Sequence, residues 1–287
     1  MDTVQFIEKK IKEFMRTSPL NRMPTQDNTC LFDDPLVQFA DGDDPIFTQY
    51  KHIIGPNHLT PREAFGKKFN SSPQNMPTHL SVISWILPIT SKIRESNRKR
   101  KKTPSFSWAY TRWYGENLFH PALREHVVKL LTQMKYLAVA PVLEDYHIEM
   151  DDGFKSNWSE RHIAYAAGLG TFGLSGGLIT ERGIAHYCGS VITNLVLPVN
   201  PRTAKSHYSN CLYFITGKCQ ACIVRCPAES ISEKGHDILK CLEYMRSIKK
   251  LSLIKKYNLE RTACGLCLTS VPCEFRNPAQ LIGKKIK

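Results

Sequence analysis

Eight of the ten cysteines lie between Cys211 and Cys273: Cys211, Cys219, Cys222, Cys226, Cys241, Cys264, Cys267 and Cys273. Thiolates are soft ligands, so a dense thiol set points to iron–sulfur or zinc chemistry. Cys219/Cys222 and Cys264/Cys267 have the C-x2-C spacing that turns two thiolates toward one centre. Eight thiolates are enough for two four-thiolate sites. The two pairs could instead share one zinc, although the gap between them is long for a zinc ribbon. A disulfide framework belongs to secreted chains below about 100 residues, and this chain has 287.

The stretch CQACIVRCP, residues 219–227, is C-x2-C-x3-C-P. It matches the last three cysteines and the proline of a bacterial ferredoxin run. The first cysteine of such a run would fall at Thr216, and the nearest thiol is Cys211, set back by an insertion. CGLCLTSVPC supplies Cys264, Cys267 and Cys273, and Cys241 stands alone between the groups. In the ferredoxin run the cysteine before proline serves the other cluster. That exchange assigns Cys211, Cys219, Cys222 and Cys273 to one cluster. Cys226, Cys241, Cys264 and Cys267 make the other. The Cys-Pro ending and the total of eight favour two [4Fe-4S] clusters over zinc.

The chain must position these thiols. Its length allows a large core and two domains, expected at 1–200 and 201–287. The formal charge is +13; two clusters with their thiolates would bring it to roughly +9. A basic surface suits nucleic acid or an acidic electron donor, and is more commonly just a solvated face. The densest run, Arg98-Lys99-Arg100-Lys101-Lys102, reads as an exposed loop. No apolar run reaches the roughly 18 residues of a membrane span. The amphipathic start carries neither a signal core nor a twin-arginine leader, so a cytoplasmic protein is expected.

Val4, Ile7, Ile11 and Phe14 share a helical face, which predicts a helix over 3–16. Residues 18–56 read as irregular, with Cys30 isolated. Thr60, Pro61 and Glu63 form a capping-box start. Residues 79–87 read as a buried strand ending at Pro88, and 136–142 as a second. Leu123, Val127, Leu130, Leu131 and Met134 predict a helix between them, giving an α/β layer. Asn157 with Glu160 reads as a further helix cap, and Gly168 as that helix's stop. Gly170, Gly173, Gly176, Gly177 and Gly183 then crowd together, which suits a flat ligand or a second backbone at close range. GLGTFG has dinucleotide-loop spacing but follows a helix, so a Rossmann site is not expected. GSVITNLVLP, residues 189–198, reads as a strand with Cys188 as a structural thiol at its start. Residues 238–256 read as a helix with Cys241 in its first turn.

ERHIAYAAGLGTFG, LITERG, GSVITNLVLP, the eight cysteines and CLEYM at Cys241 together resemble the epoxyqueuosine reductase and reductive dehalogenase superfamily. The resemblance runs from about Ser156 to Cys273, and more loosely over 80–142. It implies an α+β fold: a nitroreductase-like α/β cofactor domain followed by a ferredoxin-like domain with two [4Fe-4S] clusters. It also implies base-off cobalamin, an external low-potential electron donor and a small-molecule substrate. On this basis Ser159, Arg161, Gly168, Gly170, Gly173 and Gly176 are candidate cobalamin contacts. Asp152 and Tyr165 are candidate proton donors. The chain departs from the family pattern at Cys211 and Cys273, whose spacings are widened, and at Phe154, where the family's epoxyqueuosine reductases carry an aspartate. The basic run keeps nucleic acid open as a partner, although no RNA-binding repeat follows the cysteines. A flavin-dependent nitroreductase-like enzyme and a non-catalytic electron carrier are the competing readings.

Overall fold

The computed structural model describes residues 2–24, 27–150, 155–250, 259 and 263–282. Asp151, Asp152 and Phe154 lie outside them, as do the expected end of the helix after residue 250 and the basic tail.

At the centre is a four-stranded sheet of order β1-β2-β8-β3: β1 (Leu36–Asp41), β2 (Ser81–Pro88), β3 (Ala138–Val139) and β8 (His186–Thr193). All its pairs are antiparallel, with Val82 opposite Ile192 and Ile83 opposite Val191. Successive side chains alternate faces. Ile83, Trp85, Leu87 and Val191 pack with Ile7, Ile11 and Met15 of α1 (Thr3–Thr17) and with Leu123, Val127 and Leu131 of the helix His120–Gln133. Val82 and Ile192 pack on the other face with Phe47, Tyr50, Ala64 and Phe65. Helices therefore cover both faces, which is why β2 is buried along its whole length and not alternating.

The expected helix at 61–69 is α3 (Pro61–Phe69), after α2 (Ile46–Ile53), and its Thr60–Glu63 capping box is present. Other boundaries moved. The region 18–56 holds β1 and α2. The strand expected at 136–142 has only two residues, because Pro141 opens a 3-10 turn and has no N–H for a ladder. Helices α4 (Ser91–Arg98) and α5 (Phe106–Tyr114) and a π-helical turn (Gly115–Phe119) precede α6 (His120–Gln133). Cys188 sits inside β8, opposite Ile86. Asn157 is not a helix cap: its amide donates to the Tyr146 carbonyl and its oxygen accepts from Ile148 N. The helix α7 runs Glu160–Ala166 with Ser159 at its N-cap. The glycine-rich stretch forms a hairpin of β6 (Gly170–Phe172) and β7 (Leu178–Thr180). After residue 200 the elements are short, including α8 (Leu212–Thr216) and α9 (Ala221–Arg225), until α10 (Ile238–Lys250). No described helix is long and apolar enough to cross a membrane.

Candidate functional site

The cysteines gather against the glycine-rich hairpin. Cys211 caps α8, Cys222 lies in α9, and the Cys273 carbonyl accepts from Ile184 N at 2.8 Å, just before β8. A narrow cleft of about 20 Å3 is lined by Cys211, Cys219, Cys222 and Cys273 and by Leu174 and Ile179 of the hairpin. Burial, and then the charges of Cys211 and Cys219, push the Cys222 thiol up to about 11. Cys273 is raised further, by burial and then by Cys211, Cys222 and Cys219.

The remaining four form a second group. Burial pushes Cys264 up to about 12, with Cys241 and Cys226 adding to the shift. Cys267 is raised well above its ordinary value by burial, then by Cys264, Cys226, Cys241 and Cys222. For Cys222, Cys273, Cys241 and Cys264 the repelling cysteines fall within the quartets of the ferredoxin exchange, while Cys267 is raised by Cys222 as well, so the two groups adjoin. Buried thiols that repel one another ionise only around a cationic centre. Among the described residues, no three or more His, Cys, Asp or Glu side chains converge on a single-ion site. Each sulfur on a cubane binds a different iron, so four such sulfurs stand farther apart than four held about 2.3 Å from one zinc.

Supports for this region come from across the chain. Asn97, fully buried in α4, donates to Thr269 Oγ1 at 3.2 Å and accepts from Ser105 N at 3.0 Å. Gly265 has φ +58°, and a β-carbon there would stand 2.2 Å from Trp108 Nε1. Glu274, only 2 % exposed, holds Arg94 at 3.1 Å and Arg98 at 2.8 Å and accepts from Ser270 N. Sequence reasoning missed Asn97, Arg225 and Glu274. The last two directly adjoin Cys226 and Cys273, and that adjacency was the available signal.

On the sheet side, α7 presents Ser159 and Arg161. The Ser159 hydroxyl meets His162 Nδ1 at 2.8 Å, and its amide donates to His58 Nε2. Arg161 donates to the Gly176 carbonyl at 2.7 Å. Its guanidinium reaches solvent yet is hemmed in by protein; burial and Arg112 lower its pKa, while Cys188 counters them. Arg112 lies 4.1 Å over the Tyr187 ring, and among the described residues the Tyr187 hydroxyl and Arg112 Nε find no hydrogen-bond partner. Arg112 and Arg161 both lie near Cys188 of β8, and Arg112 also binds Glu116 at 2.8 Å. Glu160 is bound by Arg124 and Ser190 and lies close enough to Cys188 to raise its thiol. Tyr165 is half-buried against Phe172. Gly168 takes φ +78° to end α7, and Gly176 takes φ +72° beside His236. Gly170 is required by the hairpin itself, since a β-carbon there would stand 2.4 Å from the Ile179 carbonyl oxygen. Gly173 likewise packs on the Ile179 side chain.

The folded chain is a mixed helix-and-sheet protein of the architecture found in epoxyqueuosine reductase. It superposes on a Bacillus subtilis epoxyqueuosine reductase, solved with its catalytic loop swung out of the active site, at a TM-score of 0.52 and 15 % identity; the match covers 95 % of this chain and 66 % of that one. In sequence the chain is a relative of the curated epoxyqueuosine reductase of Francisella cf. novicida (strain Fx1), 34 % identical over 132 residues. That stretch is 44 % of this chain and 34 % of the relative, so the chain matches about a third of the relative's length. No family model matches the chain. The resemblance read from ERHIAYAAGLGTFG and the cysteine run is borne out.

Proposed function

We propose that the chain is an iron–sulfur reductase of the epoxyqueuosine reductase kind. In this reading residues 1–200 form a nitroreductase-like domain for base-off cobalamin, and residues 201–287 a ferredoxin-like domain for two [4Fe-4S] clusters. The observation that carries it is that Cys211, Cys219, Cys222 and Cys273 line one cleft against the glycine-rich hairpin, with Cys226, Cys241 and Cys264 the charged neighbours of Cys267 beside it. When bound, clusters and corrinoid together supply low-potential electrons to an electrophilic substrate.

The chain's residues do the rest. The quartets would hold the iron, and Leu174, Ile179 and Val271 give one of them apolar surroundings. Arg161, which donates to the Gly176 carbonyl, would meet a phosphate or amide oxygen of the corrinoid. Tyr165 and Asp152 are the proposed proton donors, and the Asp152 carboxyl would need burial to keep its proton. The substrate we propose is a small electrophile: an epoxide of the kind the relative's name denotes, or a carbon–halogen bond.

Anaerobic reconstitution with iron, sulfide and cobalamin tests this. Iron and sulfide near eight per chain with the spectrum of base-off cob(II)alamin are expected. One or two zinc without sulfide overturns the reading. Yellow flavin would place the protein with ordinary nitroreductases, and clusters with neither cofactor would leave an electron carrier.

A further inference from the structure

The basic run Arg98–Lys102 has no role in the site described so far, yet the fold holds it tightly. Arg225, the residue before Cys226, donates to the backbone carbonyls of Asn97 at 3.0 Å, Arg98 at 3.1 Å and Arg100 at 2.5 Å. The Tyr244 hydroxyl, one helical turn after Cys241, donates to the Lys102 carbonyl. Both anchors grip the backbone and leave the side chains free. Arg98 is neutralised on Glu274, while Lys99, Arg100, Lys101 and Lys102 are exposed. Among the described residues none of those four pairs with a carboxylate, and Arg100 meets only Thr103. Four unpaired cations are therefore fixed beside two ligands of the second quartet.

The surroundings add a sign and a texture. Beyond residue 200 the sequence has 16 Lys and Arg against 6 Asp and Glu, a balance of +10 out of the chain's +13. Val224, 86 % exposed, stands between Cys222 and Cys226 and next to Arg225. An exposed apolar residue rimmed by cations over redox ligands suits a protein partner; a phosphate backbone needs only the cations.

We propose that Lys99–Lys102, with Val224 beside them, are the docking site of an acidic, low-potential electron-carrier protein that reduces the Cys226, Cys241, Cys264 and Cys267 cluster. The inference rests on the cluster reading above and names its electron entry. Each encounter moves one electron: the carrier, a flavin or iron–sulfur protein, is oxidised by one, and the cluster is reduced by one. Two encounters supply a two-electron reduction.

The test uses the full chain loaded anaerobically with iron and sulfide. Its cluster bleaching is followed by stopped flow with reduced plant-type ferredoxin as probe and with dithionite as a small control. The ferredoxin rate should fall steeply with salt. Reversing all four charges (Lys99→Glu, Arg100→Glu, Lys101→Glu, Lys102→Glu) should slow it by about 10-fold or more at low salt, leaving iron content and the dithionite rate unchanged. Val224→Asp, at an exposed position that disturbs no packing, should slow it too and guards against misfolding of the fourfold variant. Unchanged ferredoxin rates and salt dependence in both variants would overturn the proposal. So would bulk tRNA that binds the run, and loses binding on charge reversal, while ferredoxin reduction is unaffected. A chain that binds clusters but no corrinoid fails the function proposed above without touching this one. A chain that takes up no iron and sulfide overturns both.

Discussion

The parts of the chain on either side of residue 200 are stabilised by different physics. Before it, a four-stranded sheet is covered on both faces, with Trp85, Trp158, Phe47 and Phe65 fully buried. Beyond it, among the described residues, six hydrophobic side chains are buried, and one of these is Cys211, itself a candidate ligand. Helices α8 and α9 have five residues each, too short to persist on their own. The first part can fold by burying apolar surface. The second has too little core for that, and on the cluster reading proposed above it draws stability from the clusters and from contacts with the sheet side.

Iron removal is the largest way to break this contrast. Anaerobic chelation should unfold much of 201–273 while the sheet persists: limited proteolysis should then cut beyond residue 200, and circular dichroism should retain the sheet signal. Next in size is Gly265→Ala. Its β-carbon would strike Trp108, so the variant should lose the second cluster and more than about 4 kcal/mol of stability, read as halved iron content and a lower urea midpoint.

Glu274→Gln should cost about 3 kcal/mol, because Arg94 and Arg98 lose the buried carboxylate that ties α4 to Cys273; denaturant titration measures it. Acid should act most strongly on the sheet side, where the largest histidine shifts lie. Burial holds His58 and His186 at about 4, and both are neutral in the fold. Their unfolded forms titrate near 6.5, so the unfolded chain takes up more protons below that pH. The stability present above pH 6.5 is lost as pH falls toward 4, on the order of 1–3 kcal/mol per histidine. Urea midpoints of the iron-free chain at pH 7 and 4.5 would show the loss, and His58→Gln should reduce it.

Much of the site was legible because its signals are local. C-x2-C turns, the Cys226-Pro227 ending and the Thr60–Glu63 box each specify their geometry within a few residues. Gly168 was readable as a helix stop for the same reason. What escaped depends on distant contacts. β1 is an edge strand flanked by Pro and Asp, and its apolar pattern becomes meaningful only beside β2. FSWAYTRWY in α5 is aromatic around most of its circumference and shows no helical period, because Trp108 serves the core and Gly265 at once. Asn157 looked like a cap because its type suits one; the structure uses the same side chain to pin the 146–148 loop. The basic run read as an unattached loop, since Arg225 and Tyr244 lie more than 120 residues away.

The central claim is that eight cysteines make two clusters, divided as stated. Iron and sulfide counting with electron paramagnetic resonance on Cys273→Ala and Cys241→Ala, each reconstituted anaerobically, tests it most directly. The account predicts about eight irons in the parent chain and about four in each variant. The two variants should retain different cluster signals, Cys273→Ala that of the Cys226, Cys241, Cys264 and Cys267 cluster and Cys241→Ala that of the other. The same surviving signal in both variants, or loss of all iron or of none in either, would contradict it.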